Sequence, residues 1–452
     1  MEKKDKIKGI LIADSAGFIG SHLCETGVGR VTINEWRDKE FLSYQKLKEI
    51  QKSKLIKSIE QARKSKFYKE KLKDYEIDGT EDIQNLPLTF KDELRQNDPH
   101  DFISVPFNEI KRVFCSSGTT GKPTYSFFTQ NDLFVVEEMA FRAVSRMELS
   151  SSNFCVINAP FELGMPGYAM SRMIHYANAG QIAVGIHSLT PLQQLSLIKE
   201  LRVNTYFGYV SGIISLIETA YEKGKIDILR QLKTVVVAAE PLSTARAKQI
   251  SNILGCKVYN NYGMSEIGGP LGNDCIFACG MHLVMDHIFW EILDPLTKSS
   301  SSSNEGVLVL TTLSKEASPL IRYWTNDYVK IEYGKCRCGR ELPRIFIKDK
   351  LDFMVKLKNK FISATDIEEI LLHEDYAWME YLAIVKGSDK SPKLSIKMEV
   401  KGEPPNVRKR ELKEKLEEKL ECDVDIELCT PLSLPRRYPK RIRLIDKRGD
   451  KK

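Results

Sequence analysis

Long hydrophobic runs, a secretion signal and a disulfide framework are all missing from this chain of 452 residues. No stretch of about 18 apolar residues occurs, so we expect no membrane-spanning helix and no membrane partner. The start is basic and then apolar, but Asp14 interrupts the apolar run early, which argues against a secretory signal. The ten cysteines are scattered, apart from two pairs discussed below. We therefore expect reduced thiols and a cytoplasmic location.

A strong excess of charge of one sign is missing too. The net charge is +7, which is modest for this length. Part of it comes from residues 436–452, where nine basic residues stand against two acidic ones. Such a run can contact nucleic acid or an anionic surface. We interpret it instead as a solvated basic tail and do not expect nucleic acid as a partner.

The N-terminal segment carries an incomplete dinucleotide fingerprint. Residues 16–23 resemble the opening turn of a dinucleotide-binding epimerase, but Asp14 occupies the position of the first glycine. That glycine makes the tight turn of the fingerprint, and no further βαβ repeat follows. We interpret residues 1–35 as an appended segment that does not bind NAD.

A loop of glycine and hydroxyl residues carries the strongest chemical signal. Its residues are Ser116, Ser117, Gly118, Thr119, Thr120, Gly121 and Lys122. The glycines let the backbone curl into a nest of N–H groups, and the hydroxyls and the lysine can reach the same anion. The Walker A spacing is absent. The loop therefore predicts a triphosphate site of another kind, with a plain surface loop as the alternative.

Alternating strands and helices predict an α/β fold. Apolar residues have helical spacing over 42–72, and short apolar strands alternate with helices between 154 and 253. This alternation favours parallel sheets covered by helices. After residue 349 the pattern becomes strand, helix, strand, strand, helix, strand, which is typical of a small α+β module. We predict three parts: 1–35, 36–348 and 349–452.

Three further motifs follow the phosphate loop in a fixed order, at residues 235–241, 259–266 and 320–327. A lead-in at 86–94 and a segment at 280–295 agree with them. Together they resemble the adenylate-forming superfamily of acyl-CoA ligases, and most of all its phenylacetate–CoA ligase branch. The resemblance extends over about residues 36–448.

That resemblance implies a large N-terminal domain of helix-covered sheets and a small, mobile α+β C-terminal domain. It also implies an AMP-forming acid–thiol ligase. Such an enzyme joins a carboxylic acid to ATP with release of pyrophosphate and then passes the acyl group to CoA. The expected substrate is an aryl or arylacetic acid, and the expected cofactors are ATP, Mg²⁺ and CoA.

The resemblance assigns roles to single residues as well. The phosphate loop would hold the β and γ phosphates, Glu266 the Mg²⁺ and Asp327 the ribose. Lys440 would stabilise the transition state of adenylation, with Arg437 and Arg441 as alternatives. The remaining residues expected at the nucleotide and the hinge are Ala239, Glu240, Pro241, Tyr262, Gly263, Met264, Ser265 and Lys350.

Specificity and metal binding have their own candidates. Phe161, Tyr168, Phe207 and Ala238 are expected to form an apolar slot for the acid, with plain core positions as the alternative. Three thiols and one imidazole, from Cys275, His282, Cys336 and Cys338, would complete a tetrahedral Zn²⁺ shell. Such a closed shell is structural, and Cys279 is an alternative to Cys275.

Two other functions stay open at this point. One is adenylation with transfer to a carrier-protein thiol or to an amine. The other, of a different class, is a non-enzymatic nucleotide- or nucleic-acid-binding protein. The sequence does not decide between a monomer and a homodimer.

Overall fold

The computed structural model describes residues 33–448, except for 78, 117–121, 359, 390, 403 and 437–441. The fingerprint-like segment, most of the phosphate loop and Lys440 lie outside these residues. Two sheets define two parts, one of 11 strands and a later one of four. We call the part with the larger sheet the large domain and the part after it the small domain.

The large domain alternates helices and strands over most of its length. Its helices are α1 (Ile33–Lys39), α2 (Tyr44–Ala62), α3 (Lys66–Lys71), α4 (Lys91–Gln96), α5 (Gln130–Ser145), α6 (Met165–Tyr176), α7 (Pro191–Glu200), α8 (Val210–Glu222), α9 (Ile226–Leu229) and α10 (Thr244–Leu254). Its strands are β1 (Arg112–Ser116), β2 (Thr124–Phe128), β3 (Phe154–Asn158), β4 (Gly180–Ala183), β5 (Thr205–Tyr209), β6 (Thr234–Ala238), β7 (Lys257–Met264), β8 (Gly269–Asn273), β9 (Met281–Leu283), β10 (Ile288–Leu293), β11 (Glu305–Thr312), β12 (Tyr323–Glu332) and β13 (Arg344–Lys350). Short 3₁₀ turns lie at Thr80–Asn85, Pro99–Phe102 and Phe107–Glu109.

Several helices begin where the sequence supplies a capping oxygen. Ser43 and Ser243 accept hydrogen bonds from backbone N–H groups in the first turns of α2 and α10. Thr129 and Asp132 form a reciprocal capping box at the start of α5. These side chains satisfy N–H groups that have no partner inside the helix.

The parallel half of the large sheet confirms the predicted α/β class. Strands β4, β3, β5, β6 and β7 pair in parallel, in that spatial order. Of these strands, β3, β5 and β6 are buried on both faces: one face packs on α7, α8 and α10, and the other on α5 and α6. Helices on both faces explain why apolar and aromatic residues predominate in these three strands.

The other half of the large sheet is antiparallel, which the sequence analysis did not predict. It continues from β7 through β8, β9, β13, β12 and β11 to β10. Strand β12 alternates buried and half-buried residues, as a strand with one wetter face does. A serine-rich segment, residues 299–303, lies between β10 and β11.

The small domain follows its predicted pattern and adds two strands. Its elements are β14 (Val355–Leu357), β15 (Lys360–Ile362), α11 (Ala364–Leu371), β16 (Ala377–Gly387), β17 (Pro392–Val400), α12 (Asn406–Leu420), β18 (Asp423–Cys429) and β19 (Leu444–Asp446), with a 3₁₀ turn at Leu351–Phe353. The sheet order is β18-β17-β16-β19, and β14 with β15 forms a separate hairpin. The predicted boundary after residue 348 falls inside β13, and where the domains divide stays a prediction.

The basic C-terminal run is not simply a solvated tail, which corrects the interpretation made from its charge. Strand β19 pairs in parallel with β16, and Leu444 is buried. Arg443 donates to Glu380, and Arg436 pairs with two carboxylates. Acids placed far away in the sequence therefore neutralise part of the run.

Among the described residues, no helix combines the length and the apolar character that crossing a bilayer requires.

Candidate functional site

The predicted phosphate loop connects two paired strands, and the start of the second strand contacts Glu266. Strands β1 and β2 pair antiparallel, with Ser116 opposite Thr124. The hydroxyls of these two residues hydrogen-bond each other, and the Thr124 hydroxyl donates to Glu266 Oε1 at 3.1 Å. Lys122 is exposed. The chain thus brings the predicted Mg²⁺ ligand to the foot of the predicted phosphate loop.

The Glu266 carboxylate is buried and ionised. Lys91 Nζ lies 2.8 Å from its Oε1. Burial acts to raise the pKa of Glu266, but the charge and hydrogen bond of Lys91, together with a backbone hydrogen bond and the charge of Lys350, lower it overall. Only 5% of the residue is exposed, so this charge is little screened by water.

The backbone of Glu266 is held as firmly as its side chain. Its carbonyl accepts from Ser126 Oγ and from Lys315 Nζ, both at 3.0 Å. Lys315 also lies over the Phe128 ring, 3.8 Å from the centroid. Burial lowers the pKa of Lys315 to about 8. One short side chain and one buried cation thereby fix the position of the Glu266 main chain.

Two of these lysines were not predicted as site residues. Lys91 lies in the lead-in motif that supports the family resemblance, and this was the available signal. Lys315 gives no local signal, because its partners are about 50 and 190 residues away in the chain.

Asp327 is the centre of a second polar cluster. Tyr262 donates its hydroxyl to Asp327 Oδ2 at 2.7 Å, and Lys350 Nζ lies 2.6 Å from Oδ1. Strand register explains the second contact, because Asp327 on β12 faces Lys350 on β13. Burial acts to lower the pKa of Lys350, but Asp327, together with the charges of Glu266 and Asp349, raises the pKa overall. Burial, followed by the Asp327 charge, raises the pKa of Tyr262 well above its usual value.

The segment after β6 turns sharply and binds a helix. Ala239 has a φ of +66°, in the left-handed region. Glu240, next to Pro241, accepts from Ser211 N at 2.6 Å and from Ser211 Oγ at 2.8 Å. A carboxylate at the first turn of α8 is favourable because that end of a helix carries partial positive charge. The structure therefore gives Glu240 a capping contact in addition to its predicted place near the nucleotide.

The end of β7 lies close against β8. A Cβ on Gly263 would lie 2.5 Å from the Gly269 carbonyl oxygen, so only glycine permits this approach. Met264 and Ser265 are half-buried between Gly263 and Glu266. Tyr262 lies near the end of β7 and Glu266 follows two residues after the strand, so one short segment supplies both site residues.

The four residues predicted for the acyl slot divide into two groups. Phe161, Phe207 and Ala238 share one apolar cluster, where Phe207 is fully buried. Tyr168 packs against a different cluster and donates its hydroxyl to Glu137 at 3.1 Å. Burial raises the pKa of Tyr168 to about 12.

The predicted metal ligands come together. Potential ligand atoms of Cys275, His282, Cys336 and Cys338 all lie within 4.8 Å of one another. The Cys275 and Cys336 sulfurs are 3.9 Å apart, and Cys338 Sγ is 3.4 Å from His282 Nε2. Tetrahedral Zn²⁺ with Zn–S bonds of about 2.3 Å places sulfurs about 3.8 Å apart, so the donor set fits this ion.

The His282 ring is oriented for binding. Its Nδ1 lies 3.1 Å from the Leu342 carbonyl oxygen, so Nδ1 carries the proton and Nε2 faces the sulfurs. Burial, with Arg146 nearby, lowers the pKa of His282 to about 4, which keeps the imidazole neutral. Cys279, the alternative ligand, lies 3.5 Å from Cys336 but is not part of the group of four.

A large and a small α/β domain, with a buried glutamate at a hydroxyl-rich hairpin and an Asp–Tyr–Lys cluster, define the class of adenylate-forming enzymes. The AMP-binding enzyme family matches residues 30–310, and the C-terminal domain of AMP-binding enzymes matches residues 362–448. The chain belongs to this family.

The curated relatives agree with this membership. A phenylacetate-coenzyme A ligase of Thermus thermophilus is 31% identical over 371 residues, covering 80% of this chain and 83% of that protein. The phenylacetate-coenzyme A ligase of Escherichia coli is 28% identical over 324 residues, covering 71% and 73%.

Solved structures show the same fold. A 2-hydroxyisobutyryl-CoA ligase in its postadenylation state, with 2-HIB-AMP, superposes with a TM-score of 0.80 at 21% identity, covering 90% of this chain and 91% of that one. The same enzyme in its thioesterification state, with 2-HIB-AMP and CoA, gives 0.64 at 22% identity, covering 91% and 92%. The chain as a whole therefore superposes better on the first of these structures than on the second.

Proposed function

We propose that this chain is an AMP-forming acid–thiol ligase that activates a small carboxylic acid with ATP and transfers the acyl group to CoA. The observation that carries the proposal is the placement of Glu266, at the foot of the phosphate loop, beside the Asp327 cluster in a member of the AMP-binding family. This arrangement provides separate groups for the metal, the phosphates and the ribose of one ATP.

In the first step a carboxylate oxygen of the acid attacks the α-phosphorus of ATP. The bond from that phosphorus to the bridging oxygen breaks, and pyrophosphate leaves with the electron pair. Charge builds up on phosphate oxygens, so positioned cations and N–H groups supply most of the catalysis. Here the loop from Ser116 to Lys122 and the small-domain residue Lys440 are the proposed sources of positive charge.

Magnesium binding is proposed for Glu266. A buried ionised carboxylate is the hard oxygen ligand that Mg²⁺ prefers. When bound, the ion neutralises charge on the phosphates. In the present structure Lys91 forms an ion pair with this carboxylate, and its side chain would turn toward the phosphates when Mg²⁺ binds.

Ribose binding is proposed for Asp327. Both of its oxygens already accept hydrogen bonds, from Tyr262 and Lys350, which orient the carboxylate. Vicinal hydroxyls can share the remaining lone pairs of these oxygens.

In the second step the CoA thiolate attacks the acyl carbonyl and AMP leaves. We propose that the small domain changes its orientation between the steps, with the hinge near Lys350. The phenylacetate ligases and the 2-hydroxyisobutyryl ligase named above support CoA as the acceptor.

An aryl or arylacetic acid is the proposed substrate class. The apolar cluster that contains Phe161, Phe207 and Ala238 supports it, because apolar and aromatic side chains line sites for such groups. The names of the curated relatives point the same way.

A structural Zn²⁺ at the four-residue cluster and a cytoplasmic location complete the proposal. The nine cysteines among the described residues are free thiols, as zinc binding and a reducing compartment both require. The described parts of the site come from one chain, so the proposal holds for a monomer and for a homodimer alike.

The test is a panel of aryl, arylacetic and short aliphatic acids with ATP and Mg²⁺, followed by mass detection. We expect pyrophosphate and acyl-AMP without CoA, and acyl-CoA when CoA is added. Acyl-AMP that reacts only with a carrier protein or an amine would change the acceptor. ATP binding without pyrophosphate release for any acid would favour the non-enzymatic alternative.

A further inference from the structure

Arg436 of the small domain forms an ion pair that crosses between the two domains. Arg436 Nη2 lies 2.8 Å from Glu218 Oε1 on α8, which belongs to the large domain. The same guanidinium contacts Glu399 on β17 of the small domain, through Nη1 at 2.5 Å and Nη2 at 2.6 Å. Both carboxylates are buried, and 22% of the Arg436 side chain is exposed.

The two halves of this bridge differ in kind. The contact to Glu399 lies within the small domain, and Glu399 also accepts from Leu434 N at 2.8 Å. It therefore moves with the small domain. The contact to Glu218 crosses between the domains and exists only in orientations that bring β17 near α8.

We propose that Glu218 and Arg436 form a latch that holds the small domain in the orientation used for adenylation. The inference rests on the proposed function. Three observations carry it: Arg436 is shared across the domains, the pair is largely buried, and the chain superposes better on the postadenylation state of the relative, with a TM-score of 0.80, than on its thioesterification state, with 0.64.

Arg436 keeps an ionic partner when the latch opens. When the small domain turns away, Arg436 stays paired with Glu399, so the desolvation cost that usually opposes breaking a buried ion pair is avoided on the arginine side. A switch between two orientations needs contacts that favour one state only modestly.

The latch also lies next to the proposed catalytic lysine in sequence. Lys440 follows Arg436 by four residues. Fixing Arg436 on α8 limits where the following residues can reach, so Arg436 and Glu218 are positioning residues for the first step. They have no corresponding role in the thioester step.

A second set of contacts belongs to the same interface. Arg246 on α10 donates to Glu368 on α11 at 2.8 Å, and the Trp378 ring lies 4.5 Å from the Tyr221 ring. The Arg246–Glu368 pair has the charges the other way round from the Glu218–Arg436 pair, because the large domain supplies the cation. The remaining contacts keep the interface partly formed when the Glu218 contact is removed.

The test compares half-reactions in Glu218→Gln and in Glu222→Gln. Glu222 lies one turn further along α8 and is exposed, so it is the matched control. Loss of one charge-assisted contact lowers acyl-AMP formation about tenfold in the first variant. Thioester formation from supplied acyl-AMP stays at the wild-type rate in both.

A charge reversal tests the pair itself. Glu218→Arg places like charges together, so it lowers adenylation further than Glu218→Gln. Equal loss of both half-reactions, unchanged adenylation in Glu218→Gln, or a milder effect of Glu218→Arg than of Glu218→Gln would overturn the latch.

A measurement without substrate separates the latch from the proposed function. Hydrogen exchange at the backbone amides of Trp378, Met379 and Leu434 should become faster in Glu218→Gln and not in Glu222→Gln. Unchanged exchange would contradict the latch even if no acid were activated. Wild-type protein that forms no acyl-AMP would contradict the proposed function alone.

Discussion

At the scale of single residues, the site is built from charges that are buried in pairs. Glu266 is ionised because Lys91 and the other groups around it together offset its burial, and Asp327 is oriented by Tyr262 and Lys350. Groups held in this way need little rearrangement when a charged substrate arrives. This is the arrangement that electrostatic catalysis requires.

Replacing the partner of Glu266 should change the pH dependence of adenylation. Without Lys91, burial dominates and the pKa of Glu266 rises, so the carboxylate is protonated at higher pH. In Lys91→Met, the acid limb of kcat/KM for adenylation should therefore move to higher pH. Lys66→Met, which removes an exposed lysine, should leave the limb in place. Superimposable profiles for wild type and Lys91→Met would show that Glu266 does not govern this limb.

Lys440 should act in the first step alone. Lys440→Ala should lower acyl-AMP formation by about 10² or more, the effect of losing one positioned transition-state charge. Thioester formation from supplied acyl-AMP should be unchanged. If adenylation stayed normal, Arg437 or Arg441 would be the cation, and alanine variants of these two would identify it.

At the scale of elements, the metal cluster joins segments that would otherwise be loosely connected. Cys275 precedes β9 and His282 lies within it, whereas Cys336 and Cys338 lie in the segment between β12 and β13. Strands β9 and β13 pair over only two residues, Arg344 with His282 and Ile345 with Met281. A bound ion would fix this short pairing, because metal binding to a folded site adds to its folding free energy.

Protein purified without chelator should contain about one zinc per chain. Removing the metal should lower the melting temperature, since only the folded chain presents all four ligands. Cys275→Ser should lose the metal and Cys279→Ser should keep it. The opposite result for these two variants would reassign the ligand, and elemental analysis without zinc would disprove the site.

The elements show where sequence reasoning succeeds and where it stops. Strands such as β6 are apolar over their whole length, and helices such as α10 begin at a capping serine, so both could be predicted locally. The antiparallel half of the sheet could not, because pairings such as β13 with β9 depend on long-range register. Lys315 and the division of the acyl-slot residues were missed for the same reason.

At the scale of the whole molecule, the order of motifs along the chain predicted more than any single pattern. Each acid taken alone could be a surface or capping residue, and Glu240 does cap α8. The set as a whole predicted the two-domain fold, which the structure confirms. The folding of the segments between the motifs then determines which residues contact each other, and the ion pair of Lys91 with Glu266 is an example.

The N-terminal segment should be dispensable for chemistry. The family match begins at residue 30, so deleting residues 1–30 should leave acyl-AMP formation unchanged. NAD should not raise the melting temperature of the full-length protein, because only a ligand with affinity for the native state does so. An NAD-dependent stabilisation that disappears on truncation would revive the dinucleotide site.

The central claim is adenylation followed by transfer to a thiol, and it can be tested by following one oxygen atom of the acid. An accepted acid labelled with oxygen-18 in its carboxylate is incubated with the enzyme, ATP, Mg²⁺ and CoA, and the products are analysed by mass. Attack on the α-phosphorus leaves a carboxylate oxygen on that phosphorus, so the released AMP should carry one labelled oxygen. Unlabelled AMP, or label in pyrophosphate or phosphate, would contradict the account.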